Sequence, residues 1–285
     1  RGVILVTGAT GYTGRFLVRS LVDSGHEVRC LVRPSSEVEQ LRGLGVDLVV
    51  ADLGGSLASY LQGITHVAHV APIWLCKRVV EALTTEVEAA VFVSSLRRLS
   101  SVASASVEAV AAGERLVEEA TCRVTVLRPS MIYGPGDDGN ISRLVRHLRR
   151  HRWLPVFGSG QHLQQPVFVG DVIRAIVTAL FRPGSGSSAY AVAGPEAVPF
   201  NELVDFVGAA VGTRPRRIHF PVVMGVVAGR CLGALGVRSA PSPEQIRRLQ
   251  EDKVFDIEPA RTDLGFDPIS FAEGLRMVYG EGDGG

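Results

Sequence analysis

The chain has 285 residues, 46% of them hydrophobic, with a mean hydropathy of +0.21, enough apolar material for one large α/β unit or a nucleotide domain with an appended lobe. Acidic and basic residues are interspersed and leave a formal net charge of +1, which excludes the one-signed basic footprint of a nucleic-acid binder. The four cysteines (Cys30, Cys76, Cys122, Cys231) lie far apart with no C-x-x-C pair, which argues against a disulfide framework or a zinc site and for a reducing, cytoplasmic setting.

The first apolar run, Val3-Ile4-Leu5-Val6, reads as a buried parallel strand. It leads into Gly8, Gly11 and Gly14, with Thr10, Tyr12 and Thr13 between them. From Arg15 to Val22 apolar residues recur at helical spacing, which predicts a helix over 11–24. Strand, glycine turn and helix in that order make a dinucleotide-phosphate site. Gly8 allows the tight turn, Gly11 lets backbone approach a pyrophosphate, and Gly14 lets the helix pack close on the strand. The helix N-terminus adds free N–H groups and a positive dipole end. Because the first residue already leads into this strand, no signal peptide is expected.

Further strands are expected at 27–32, 45–51, 66–71, 89–93 and 123–128, with helices near 36–43 and 102–120. This alternation predicts a doubly wound parallel sheet of the Rossmann type over 1–130, with the glycine turn at its topological switch point. Beyond residue 130 the pattern changes. A basic amphipathic helix is expected over 140–150, short strands at 154–157 and 166–169, and a helix through Leu180 with Asp171 as its N-cap. Helices follow at 199–211 and 243–252. Residues 131–285 are expected to form mainly a substrate-binding lobe, interleaved with the core as one compact unit. The longest apolar stretch, 220–237, is broken by Pro221, several glycines and Arg230, so it is not a membrane span. The tail 281–285 reads as disordered. Only two lysines occur, Lys77 and Lys253, against 28 arginines.

Four segments now follow one another in a telling order: Thr7-Gly-Ala-Thr-Gly-Tyr-Thr-Gly14, His69-Val-Ala71, Phe92-Val-Ser-Ser95 and Arg128-Pro-Ser-Met-Ile-Tyr-Gly134. With the later Gln161–Asp171 segment, they resemble the extended short-chain dehydrogenase/reductase superfamily, in its atypical branch related to NAD(P)-dependent epimerases and dehydratases. That resemblance implies a nicotinamide dinucleotide at the C-terminal edge of the sheet. It sets Leu53, Val70, Ala71, Pro129, Ser130 and Met131 around the cofactor. Trp74, Tyr133, His162 and Gln165 fall near the substrate, with His69 and Gln164 close to the same cleft. For each histidine the competing reading is a structural hydrogen-bond partner.

An acidic residue at the end of the second strand would bind the ribose 2′-OH of NAD and repel a 2′-phosphate. Here that strand ends in Arg33, and Arg15 follows the last glycine. A guanidinium grips phosphate by two parallel hydrogen bonds, so NADPH/NADP+ is the expected cofactor. Asp52 resembles the residue that meets the adenine amine, against a plain helix cap.

The family's catalytic pair is a tyrosine followed four residues later by a lysine. Tyr12, Tyr60, Tyr133, Tyr190 and Tyr279 have Phe16, Ile64, Asp137, Gly194 and Asp283 at that spacing. Aligning on Gly113-Glu114 places Ser106 and Val110 where the pair belongs. The pair is absent, and Ser95 is its surviving neighbour by position, against a strand-end hydroxyl that serves a loop amide.

General acid–base catalysis contributes about 10²–10⁴-fold, while holding the reactants in near-attack geometry contributes more. A substrate with a phenol beside its ketone could cover the deficit by substrate-assisted protonation. Val222, Val223, Val226, Val227, Leu232 and Leu235, with Trp74, would suit a flat aromatic guest, or are simply core. The overall pattern resembles ketoreductases of aromatic polyketide (angucyclinone) antibiotic biosynthesis. The expectation is therefore an NADPH-dependent ketoreductase acting on an aromatic ketone, with no nucleic-acid, membrane or metal partner. A non-catalytic NADPH-binding sensor or scaffold is the alternative, and a sugar-nucleotide epimerase ranks last. Oligomeric state is open.

Overall fold

A computed structural model describes residues 2–183, 188–234 and 243–280, without the side chains of 231–234. The tail 281–285, Leu235 and the side chain of Leu232 lie outside the described residues. Seven strands form one parallel sheet: β1 (Val3–Thr7), β2 (Glu27–Val32), β3 (Asp47–Val50), β4 (Ile64–His69), β5 (Ala89–Val93), β6 (Arg123–Pro129) and a last strand, Ser188–Val192. Their order from one edge is β3, β2, β1, β4, β5, β6 and Ser188–Val192. Leu5 of β1 stands between Arg29 of β2 and Val67 of β4. The chain moves outward from β1 first to one side and then to the other, so the gap between β1 and β4 is the switch point where such sheets bind ligands.

The helices are α1 (Tyr12–Asp23), α2 (Glu39–Arg42), α3 (Lys77–Ala82), α4 (Ala105–Val117), α5 (Ile141–Arg150), α6 (Val169–Phe181), α7 (Phe200–Ala210), α8 (Val222–Ala234), α9 (Pro243–Arg248), α10 (Glu258–Leu264) and α11 (Phe271–Tyr279). Leu17, Val18 and Leu21 of α1 join Val172, Ile173 and Ile176 of α6 in a core on one face of the sheet. Val79 and Val80 of α3 and Val110 and Val117 of α4 form the core on the other face. The strands read as continuous apolar runs because both faces are covered. A third core, built on Ile141, Val145 and Leu148 of α5 with Leu203, Val204 and Leu275, holds the C-terminal elements together.

Several expectations are corrected. The 36–43 helix is a single turn, and the 243–252 helix ends at Arg248. The fourth strand runs Ile64–His69, so Val70 and Ala71 lie just beyond it. Asp171 is not an N-cap: Phe168 is, and Asp171 lies buried in the first turn, accepting from Ile269 N at 3.0 Å and from Arg174. It ties α6 to the segment before α11. The strand Ser188–Val192 goes unread in the sequence because serine and alanine give weak strand preference, yet its pairing with β6 brings chain from the second half into the sheet.

Candidate active site

The glycine turn is built as its residue types require. Gly8 has φ +74, and a Cβ there would stand 2.4 Å from Ala71 N. The turn therefore touches the exit of β4. A Cβ on Gly14 would lie 2.1 Å from the Gly8 carbonyl oxygen, so only glycine lets α1 come this close. Gly11 differs: its added Cβ meets nothing nearer than Gly8 O at 3.2 Å, and the residue is exposed. That open side is where backbone can approach a ligand. Gly11 is also the cap of α1, with no side-chain cap and no acidic residue in the first turn. The first N–H groups of α1 are thus left for an anion, and these residues fit a dinucleotide pyrophosphate.

Around this turn the other expected cofactor residues take definite places. Arg15 Nη1 donates to Gln40 Oε1 at 2.9 Å, and Arg33 is exposed at the end of β2 beside the Ser36 turn. Asp52 Oδ1 accepts from Gly54 N at 2.9 Å, a local Asx turn, while Leu53 packs on the second core.

A cleft of about 710 Å³ opens beyond the C-terminal ends of β5 and β6, within the range of small-molecule sites. Tyr12, Thr13, Ser95, Pro129, Ser130 and Met131 line its sheet side, and Gln164, Gln165, Arg248, Glu251, Lys253 and Phe255 its far side. Ser95 Oγ accepts from Arg97 N at 3.2 Å, so its own proton is available to a ligand. Neighbouring Ser94 instead donates to Glu114 Oε1 at 2.6 Å, and Arg128 grips the same carboxylate at 2.9 and 2.8 Å. Burial works to raise the Glu114 carboxyl, but the hydrogen bonds from Arg128 and Ser94 hold it below its usual range. This ion pair of a buried carboxylate and a half-buried guanidinium lies beneath Ser94 in the cleft wall.

On the far side, the Ser130 hydroxyl donates to Gln165 O, Gln165 Nε2 donates to Gly194 O at 2.7 Å, and Phe255 N donates to Gln165 Oε1 at 2.7 Å. Lys253 Nζ donates to Gln164 Oε1 at 2.8 Å, and burial pulls its pKa down to about 8. Sequence reasoning missed Lys253; its only signal was the rarity of lysine in this chain.

The positions of the missing pair are occupied. Val110 is in the core, and Ser106 Oγ donates to Glu244 Oε1 of α9 at 3.1 Å. Of the residues expected near the substrate, Gln165 lines the cleft. Tyr133 is 1% exposed and packs against Phe168 and Phe271. Trp74 is 45% exposed on a turn after β4, and His162 pairs with Asp252 at 3.3 Å; neither lines the cleft. His69 is wholly buried, shares a 2.8 Å hydrogen bond with Thr7 Oγ1, and is structural.

Comparison with known proteins agrees with this geometry. Residues 1–119 match the NmrA-like family and residues 103–193 the NAD dependent epimerase/dehydratase family. The chain is 28% identical to a ceramide reductase of Caulobacter vibrioides, over 100% of this chain and 92% of that protein. It is 26% identical to a 2-alkyl-3-oxoalkanoate reductase of Stenotrophomonas maltophilia, over 96% and 98%. Among solved structures, MoeE5 in complex with UDP-glucuronic acid and NAD superposes with a TM-score of 0.75 at 25% identity, covering 98% of each chain.

Proposed function

We propose that this chain, whose residues 1–119 and 103–193 match the NmrA-like and NAD dependent epimerase/dehydratase models, is an NAD(P)-dependent oxidoreductase of the extended short-chain type that reduces a ketone to a secondary alcohol with NADPH. The observation that carries this reading is one cleft that joins the glycine turn, through Tyr12 and Thr13, to the free Ser95 hydroxyl. The reductase names of two relatives that span the whole chain support it.

When bound, the dinucleotide supplies a hydride. The chain's residues do the rest. Gly8, Gly11 and Gly14 with the α1 N-terminus hold its pyrophosphate, and Arg15 and Arg33 favour a 2′-phosphate by charge. Ser95 donates a hydrogen bond to the substrate carbonyl and polarises it. The far wall of the cleft orients the substrate and excludes water.

In its narrower form the proposal names an aromatic polyketide ketone of antibiotic biosynthesis. A phenol beside the carbonyl polarises it through an internal hydrogen bond, which eases the loss of the tyrosine. The apolar residues Leu99, Leu144, Leu154 and Leu203 in the cleft wall suit such a guest.

The test is NADPH absorbance with a panel of aromatic and aliphatic ketones. Turnover is expected, and Ser95→Ala should lower it well short of the roughly 10⁴-fold loss of an essential acid. Tight NADPH binding with no turnover would favour a non-catalytic sensor instead.

A further inference from the structure

We propose that Lys253 is the acid of this reductase: its ammonium, held in the cleft by Gln164, gives up the proton that ends on the product hydroxyl. This rests on the reductase reading above. The chain has one other lysine, Lys77, which sits exposed on α3 beside Glu81. Lys253 lines the same cleft as Ser95 and Ser130. One of its three N–H groups is spent on Gln164 Oε1 at 2.8 Å, and Gln164 itself is 1% exposed with its Nε2 lacking any partner. A buried amide that leaves a donor unpaired in a cleft wall costs stability unless a ligand takes it up. The ammonium keeps its other N–H groups for a substrate oxygen.

The surroundings hold Lys253 in place without consuming its charge. Its backbone N donates to Leu163 O at 2.8 Å, beside the Gln165 bonds to Ser130 and Phe255. Of the nearby carboxylates, Glu251 is taken by Ser100, Ser101 and Val102 N, and Asp252 by Leu163 N and His162. Among the described residues, no carboxylate reaches the ammonium at ion-pair distance. Arg97, from the turn after β5, and Arg248, from α9, face it and push the proton off, while Glu251 helps to keep it. Burial and these cations bring its pKa to about 8, where an acid transfers protons well near neutral pH. No arginine of the cleft offers this, because guanidinium stays protonated.

The step balances. The carbonyl carbon receives the hydride, the C=O π pair moves onto oxygen, and a new O–H bond forms as an Nζ–H bond breaks. The amine left behind is neutral and recovers its proton from water. Val110 stands on α4 where the resemblance would place a lysine, and Lys253 enters the cleft just after α9, whose Glu244 accepts from Ser106 at 3.1 Å.

With only two lysines, acetylation by acetic anhydride followed by mass spectrometry titrates each directly in the wild-type protein. Lys253 is expected to turn reactive as the pH rises through about 8, and a bound aromatic ketone to protect it. Kinetics with NADPH and α-tetralone, with and without a peri-hydroxyl, complete the test. Lys253→Met and Lys253→Arg should each lower kcat by about 10²-fold or more with KM little changed. The fall of wild-type kcat above about pH 8 should disappear in both.

Rescue by arginine, or a change confined to KM, would mean an electrostatic anchor and overturn the proposal. So would kcat within about threefold of wild type in Lys253→Met, which leaves the substrate's own phenol as the source. NADPH fluorescence titration of all three proteins separates these outcomes from a failed cofactor site. A wild type that binds NADPH but reduces no ketone sinks the reductase reading itself, and this inference with it.

Discussion

Thr7 and His69 show how much a single buried polar pair constrains this molecule. His69 is wholly buried, and burial lowers its pKa to about 4 from the ordinary 6.5, so the folded protein keeps it neutral. The unfolded chain binds a proton that the folded one refuses. The stabilisation is therefore complete above pH 6.5 and is lost as pH falls from there toward 4, by an amount on the order of 3 kcal/mol. His69→Asn should flatten the pH dependence of Tm across that window, which thermal melts at pH 7, 6, 5 and 4 would read. In the sequence His69 belongs to a segment that the family resemblance sets near the cleft, although a lone histidine is more often a structural hydrogen-bond partner. Its neighbours across the sheet, not its type, make it structural.

Among the elements, the segment from α9 to Phe255 does the most with the fewest residues. Glu251 accepts from Ser100 Oγ at 2.7 Å, from Ser101 N at 2.7 Å and from Val102 N at 3.2 Å, and so pins this segment to the loop before α4. Burial acts to raise the Glu251 carboxyl, but these donors leave it below its usual range. Glu251→Gln should cost about 1.5–3 kcal/mol, as for hydrogen bonds to a charged group. A lower urea midpoint, with faster amide exchange over 249–255, is the expected signature; an unchanged midpoint would show that the loop and segment pack without it. The sequence shows a helix start at Pro243 but nothing of this clamp, since its partners lie about 150 residues apart. A separation of about 90 residues likewise hides the place of Lys253, which reaches the cleft only when 253–255 lies along 163–165.

For the molecule as a whole, the strand Ser188–Val192 makes the central sheet a product of both halves of the chain. A ligand bound at the glycine turn should therefore stabilise the entire unit. NADPH at 100 times its Kd adds about 2.7 kcal/mol, or roughly 5 °C in Tm for a chain of this size. One cooperative transition is expected by calorimetry, and the proposed role of Arg15 and Arg33 predicts a smaller shift for NADH at the same concentration. Two separated transitions would mean that the halves melt independently, and equal shifts would remove the arginines from cofactor choice. No described helix is long and apolar enough to cross a membrane.

By itself the sequence determined the parallel sheet, the glycine turn and the absence of a Tyr–Lys pair. These are local facts: apolar runs of strand length, glycines at fixed offsets, and a spacing that can be searched completely. Tertiary structure decided which polar residues share the cleft. It sent Tyr133 and His69 into the core, left Trp74 and His162 off the cleft wall, and brought Lys253 to Gln164. Each of those outcomes depends on which distant segment supplies the neighbour, because burial and hydrogen-bond partners, not residue type, set whether a side chain is structural or free to react.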